Sequence, residues 1–220
     1  MKDTEKGAAI YSPLTLKLYD WWVLNVSNNF FWKCPTKDVL LPFFEKNLSK
    51  KHLDVGVGTG YYLLNTKLNS TYNITLMDLN ENSLDATENR LYPLKVNKIK
   101  FDIMENLSSN LHEVYSSISI FYLLHCLPGT MEDKEIVFIN LKKMMKKDGV
   151  IYGATILGEE IDHNIGGKKL MKIYNKKGIF GNVNDSLDKL ESILQKNFEK
   201  FDIKLCGKVA LFEARQPINF

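Results

Sequence analysis

Three glycines at alternate positions and three aspartates at the ends of apolar runs are the residues here whose types and spacing can do chemistry. The stretch "HLDVGVGTGYYL" (52–63) sets Asp54 two positions before Gly56, with Gly58 and Gly60 following. Such a turn after a strand lets the backbone approach a ligand with no Cβ in the way. The dinucleotide fingerprint G-x-G-x-x-G would need its third glycine at position 61, where Tyr61 stands. The spacing is instead G-x-G-x-G. A carboxylate before this loop repels a pyrophosphate and suits a ligand carrying a positive group. Asp78 ends the next β-branched run, "YNITLMDLN", where a carboxylate can accept both hydroxyls of a ribose, a device that NAD enzymes share. Asp102 closes a third run, "VNKIKFDI", where it can accept from an exocyclic adenine amine while the N–H of Ile103 meets a ring nitrogen. Successive strand ends thus offer one acid to a cation, one to a ribose and one to a base. Plainer roles stand beside these. Asp54 could serve only the amides of a tight turn, and Asp78 and Asp102 could cap helices.

The elements that must hold these residues alternate between two periods. "KKHLDVGV" (50–57) reads as a buried strand, and 60–69 as a helix with Leu64 and Leu68 on one face. "NENSLDATENRL" predicts a helix presenting Leu84, Thr87 and Leu91 after the second strand. "SSISIFYLL" is a fourth strand. Thr130 and Asp133 form a capping-box pair ahead of a helix carrying Val137, Leu141, Met144 and Met145, which the lysines of "KKMMKK" and Gly149 are expected to end. "GVIYGATIL" is a fifth strand. "DSLDKLESILQKNF" is a capped amphipathic helix with Leu187, Leu190, Leu194 and Phe198. "FDIKLCGKVALFEARQP" is a pair of strands joined at Gly207-Lys208, so the last strand is expected to run antiparallel. Strands and helices joined in this rhythm imply an α/β fold, a doubly wound, seven-stranded, mostly parallel sheet covered on both faces.

Two segments break the rhythm. Residues 1–50 are expected to form an N-terminal helical cap and 51–220 the Rossmann-like α/β domain, together one structural unit. Residues 158–184 separate the fifth strand from the last large helix. In an open α/β sheet the ligand sits beyond the carboxyl ends of the strands, so both segments can lie over that edge and shape an acceptor site. Tyr11, Tyr19 and Trp22 are the lining candidates. The cluster Trp21, Trp22, Phe30, Phe31 and Trp32 also has the simpler role of core for the cap.

Composition narrows the classes. A net charge of +3 in 220 residues gives no electrostatic case for nucleic acid or an anionic membrane. Cys34, Cys126 and Cys206 are few and far apart, which predicts free thiols, a reducing cytoplasm and no zinc site. The start is charged and lacks a signal-peptide core, and no apolar run approaches the ~20 residues of a membrane span.

The motifs "LDVGVGTG" (53–60), "LMDLN" (76–80), "FDI" (101–103) and "FYLLHCLPG" (121–129) resemble, in order, those of the class I S-adenosylmethionine-dependent methyltransferases. "KKMMKKDGVIYGATIL" (142–157) and "VALFEARQP" (209–217) extend the likeness, which covers roughly residues 50 to 217. The head, 12–36, and "NKKGIFGN" (175–182) are similar to the small-molecule branch, that of quinone-biosynthesis and microbial natural-product enzymes. The resemblance implies a Rossmann-like fold, S-adenosylmethionine as cofactor, and methylation of an O or N of a small acceptor without a metal. It carries cofactor binding to Asp54, Gly56, Gly58, Gly60, Asp78, Leu79, Asn80, Asp102, Ile103 and Phe121. It offers His125, just after the fourth strand, and His163, in the second irregular segment, as bases for a protonated acceptor. The chain departs from amino-methylating DNA enzymes, since "FYLLHC" stands where they carry Asn/Asp-Pro-Pro-Tyr/Phe, and it lacks the acids of the catechol-type metal site. Three other readings stay open: methylation of a macromolecule, an NAD-dependent oxidoreductase, and a non-catalytic cofactor-binding protein.

Overall fold

The computed structural model describes residues 27–107, 114–158 and 165–218. Seven strands, β1 (Lys51–Val55), β2 (Asn73–Asp78), β3 (Val96–Lys100), β4 (Tyr115–Phe121), β5 (Met145–Ile156), β6 (Phe198–Cys206) and β7 (Val209–Pro217), form one sheet. Their order is β3-β2-β1-β4-β5-β7-β6. β7 runs antiparallel between β5 and β6, and every other pairing is parallel. The chain leaves β1 towards β2 on one side and returns to β4 on the other, so the carboxyl ends of β1 and β4 flank the switch point where open α/β sheets bind ligands.

Helices α1 (Leu41–Asn47), α2 (Tyr61–Asn65), α3 (Glu81–Leu91), α4 (Glu135–Met144), α5 (Ile165–Lys176) and α6 (Leu187–Asn197) complete the layers. On one face Phe138 and Leu141 of α4 and Leu190 and Leu194 of α6 pack on Ile118, Ile120 and Phe212. The other face holds Phe44 of α1, Tyr62 and Leu63 of α2 and Leu84 and Leu91 of α3 against Ile74, Leu76 and Tyr152. Leu84, Thr87 and Leu91 are buried, as their spacing required. Ser186 caps α6 by accepting the Lys189 N–H, an interaction worth about 1 kcal/mol.

Three boundaries differ from expectation. α2 stops at Asn65 because Thr66 turns extended and its hydroxyl donates to the Tyr62 carbonyl, which leaves Leu68 outside the helix. α4 ends at Met144. Met145 opens a long β5, and Gly149 lies within that strand, where a Cβ would crowd the Lys146 and Tyr115 carbonyls. Gly149 therefore permits the close approach of β5 to β4 where their parallel register shifts, and does not cap the helix. α5 forms where the sequence showed no regular element; only Gly167 and Met171 on it are buried.

Within the expected cap, a π-helical turn (Thr36–Leu40) leads into α1, whose Phe44 is part of the core. The stretch before it runs to the carboxyl edge of the sheet, where the Trp32 carbonyl accepts the Lys208 N–H from the β6–β7 turn at 2.7 Å.

Candidate active site at the carboxyl edge

The glycine turn begins where β1 ends. Gly56, Gly58 and Gly60 all have positive φ, at 72°, 52° and 70°. A Cβ on Gly56 would strike Leu123, and one on Gly60 would strike Thr87. A Cβ on Gly58 would meet nothing within 4 Å. Two glycines thus serve packing, and the middle one opens a cradle beside the strand ends.

Asp78 closes the side of that cradle. Its carboxylate accepts the Asn80 N–H at 2.8 Å and the Gly58 N–H at 3.4 Å. Burial pushes its carboxyl above the ordinary carboxylate range, against the pull of these backbone donors. The helix cap here is Asn80, whose side chain accepts the Asn82 N–H, so Asp78 is left to face the turn. Leu79 lies half-buried between them. Asp102 accepts the Met104 N–H at 2.9 Å beyond β3. The loop it opens is held by Asn140 of α4, fully buried, whose amide donates to the carbonyls of Ile103 and Glu105 at 2.9 and 2.7 Å. Nothing in the spacing of Asn140 announced that role.

Asp54 is 6% exposed and accepts from the Ser119 hydroxyl. Burial raises its carboxyl to about 6, with Ser119 opposing and the Asp78 charge adding to the rise. Phe121, expected at the cofactor, turns its ring into the core, 4.5 Å from Tyr62 and 5.5 Å from Phe44 between centroids. Only its backbone is left for a ligand.

At the end of β4 the chain makes a turn that the sequence did not reveal. Tyr122 has φ 57°, a left-handed conformation costly for a residue with a Cβ. Its hydroxyl is buried and has no hydrogen-bond partner among the described residues. Its ring stands 5.4 Å from that of His125. His125 lies edge-on to Phe180 at 4.5 Å, and Phe180 packs on Tyr174 at 4.9 Å and Trp32 at 6.3 Å. The head and the segment after β5 therefore meet over the carboxyl end of β4.

His125 is 2% exposed, and its Nδ1 accepts the Ile156 N–H at 3.4 Å. Burial, helped by the Lys134 charge, lowers its pKa to about 3. The neutral ring then carries its hydrogen on Nε2, as a donor. That geometry is unsuited to the general-base role expected of it. The expectations placed on Tyr11, Tyr19, Trp22 and His163 lie outside the described residues.

The open Gly58 cradle, with Asp54 and Asp78 at adjoining strand ends, fits an adenosyl ligand bearing a cationic tail. Comparison with known proteins agrees. A methyltransferase domain matches residues 53–153. The O-methyltransferase of the physcion biosynthesis cluster of Aspergillus chevalieri is 39% identical over 214 residues, covering 97% of this chain and 96% of that one. The uncharacterized protein YbcY of Escherichia coli (strain K12) is 47% identical over 192 residues, covering 87% of this chain and 98% of its own. The solved complex of DhpI with SAH superposes with a TM-score of 0.68 at 11% identity, covering 97% and 96%, a likeness of fold. The chain belongs to the S-adenosylmethionine-dependent methyltransferase family. It is an enzyme of that class, and S-adenosylmethionine is its cofactor.

Proposed function

We propose that the enzyme methylates an oxygen or nitrogen of a small, ring-bearing acceptor held beside Tyr122, next to the aromatic cluster of His125, Phe180, Trp32 and Tyr174. The observation that carries this is the aromatic cluster itself, built by the head and the post-β5 segment over the end of β4. The name of the Aspergillus relative, an O-methyltransferase of a biosynthesis cluster, supports the same acceptor class. Residues 1–50 act as its cap.

When bound, S-adenosylmethionine supplies a methyl group on a positively charged sulfur. Asp54 faces the ammonium of the methionine end, across Gly56, Gly58 and Gly60. Asp78, with Leu79 and Asn80, takes the ribose. Asp102 and the Ile103 N–H take the base, and the Phe121 backbone borders the sulfur. Tyr122 hydrogen-bonds the acceptor, and His125 holds the loop and orients the acceptor through Nε2. Alignment and exclusion of water supply most of the acceleration. A cytoplasmic setting is supported by the free thiols of Cys34, Cys126 and Cys206.

Labelled methyl donor offered with panels of phenols, aromatic amines, RNA and protein tests the reading. Label should enter a phenol or an amine. Tyr122→Phe should lower kcat/KM for that acceptor about tenfold, the loss of one buried hydrogen bond, with S-adenosylhomocysteine affinity unchanged. Label found only in macromolecule would overturn it.

A further inference from the structure

Central parallel strands are normally apolar throughout, yet β1 and β4 carry His52, Asp54, Ser117 and Ser119 on one buried face. The register sets His52 opposite Ser117 and Asp54 opposite Ser119. All four are buried: His52, Ser117 and Ser119 are 0% exposed and Asp54 is 6%. Their polar atoms form one unbroken line. The Ser49 N–H donates to Ser117 Oγ at 2.9 Å. Ser117 Oγ lies 2.8 Å from His52 Nδ1, and His52 Nε2 lies 3.1 Å from Ser119 Oγ. The Ser119 hydroxyl donates to Asp54.

An ionised Asp54 has no hydrogen to give and burial keeps the His52 ring neutral, so together these set the direction of each bond. Ser119 spends its hydrogen on Asp54 and must receive one from His52 Nε2. In the neutral ring Nδ1 carries no hydrogen and accepts from Ser117, which in turn accepts the Ser49 N–H. Burial keeps the imidazole in that neutral form, lowering its pKa to about 3 against the opposing pull of the Ser117 backbone. Phe44, edge-on at 5.6 Å, and Tyr152, at 6.2 Å, box the ring in place.

We propose that His52 is a positioning residue which, through Ser119, aims the Asp54 carboxylate at the ammonium of the cofactor's methionine end. A network of this kind helps only when every member is satisfied, and here the line ends on the one group that proposal assigns to a cation. The inference rests on the placement of Asp54 proposed above.

Calorimetry with two ligands separates the possibilities. S-adenosylhomocysteine carries the ammonium; 5′-methylthioadenosine keeps the nucleoside and lacks it. His52→Phe, which preserves the aromatic box, and Ser119→Ala should each weaken S-adenosylhomocysteine about tenfold and leave 5′-methylthioadenosine within twofold. The double variant should be little worse than either single one, because both break the same line. Should His52→Phe fail to fold, Ser119→Ala, one oxygen smaller, carries the same measurement. Nitrogen-15 NMR of the wild-type ring should show the hydrogen on Nε2. Asp54→Asn serves as the control. If it weakens S-adenosylhomocysteine while the other variants do not, the relay is wrong and the cofactor placement stands. If Asp54→Asn itself has no effect, both fall. Equal weakening of the two ligands, or the hydrogen on Nδ1, also overturns the relay.

Discussion

Lys134 and Asp185 meet as a fully buried ion pair, Nζ to Oδ2 at 2.6 Å, with side chains 0% and 1% exposed. The ammonium also donates to the Gly181 carbonyl at 2.9 Å, and the Gly181 N–H donates to the His125 carbonyl at 2.8 Å. The pair thus fastens the turn beside Phe180 to the start of α4 and to the loop after β4. Burial drives the Lys134 pKa down and that of Asp185 up, and each partner opposes the other's shift. Lys134→Ala should lower unfolding stability by about 3–5 kcal/mol, since it strands a buried carboxyl. Adding Asp185→Ala should recover part of that loss. Urea denaturation of the two singles and the double measures both.

Cofactor affinity should follow the Asp54 titration. With the carboxyl near 6, S-adenosylhomocysteine binding should be constant above about pH 7. It should weaken towards tenfold per unit below pH 6, as the group protonates. The same shift has a stability cost. A carboxyl whose folded pKa is raised stabilises only while protonated, fully so below about 4, and that contribution is lost as pH rises through 6. Asp54→Asn should therefore stabilise the free enzyme by about 3 kcal/mol at pH 8 while flattening the pH dependence of binding. A stability unchanged by Asp54→Asn at pH 8 would contradict this.

The glycines of one turn should fail differently. Gly58 has open space where a Cβ would go but sits at φ 52°, so Gly58→Ala should cost only the backbone strain, about 1–2 kcal/mol, and lose most of the cofactor binding. A Cβ at Gly60 would lie 2.5 Å from Thr87 Cγ2, so Gly60→Ala should lower the melting temperature first. Thr87→Ser, which removes that methyl, should restore part of it. Melting curves with and without S-adenosylhomocysteine distinguish the two cases.

His125 should govern acid stability more than proton transfer. Its folded pKa, near 3, lies below the unfolded value of about 6.5. The neutral ring's contribution is complete above pH 6.5 and is lost as pH falls towards 3, at about 1.4 kcal/mol per unit. The stability gap between wild type and His125→Asn should narrow by about 2 kcal/mol between pH 7.5 and 5. Turnover of the variant should fall at one factor across pH 6 to 9. A loss that shrinks steeply as pH rises would restore the base role.

The sequence by itself determined the α/β rhythm, the antiparallel hairpin at the end, the glycine turn and the order of acids at three strand ends. Each is written in residues a few positions apart, and strand and helix periods are local properties of the chain. Leu84, Thr87 and Leu91 fell on the buried side of α3 for that reason. Only the tertiary structure decided which distant residues meet. His52 finds Ser119 because β1 and β4 pair in parallel with a register no local pattern specifies. Asn140 reaches the loop after Asp102 from a helix on the covering layer. Phe121 shows the limit most clearly. Its place at the end of β4 was readable, but alternation along a strand buried on both faces does not say which face a ring will take, and packing with Tyr62 and Phe44 chose the core.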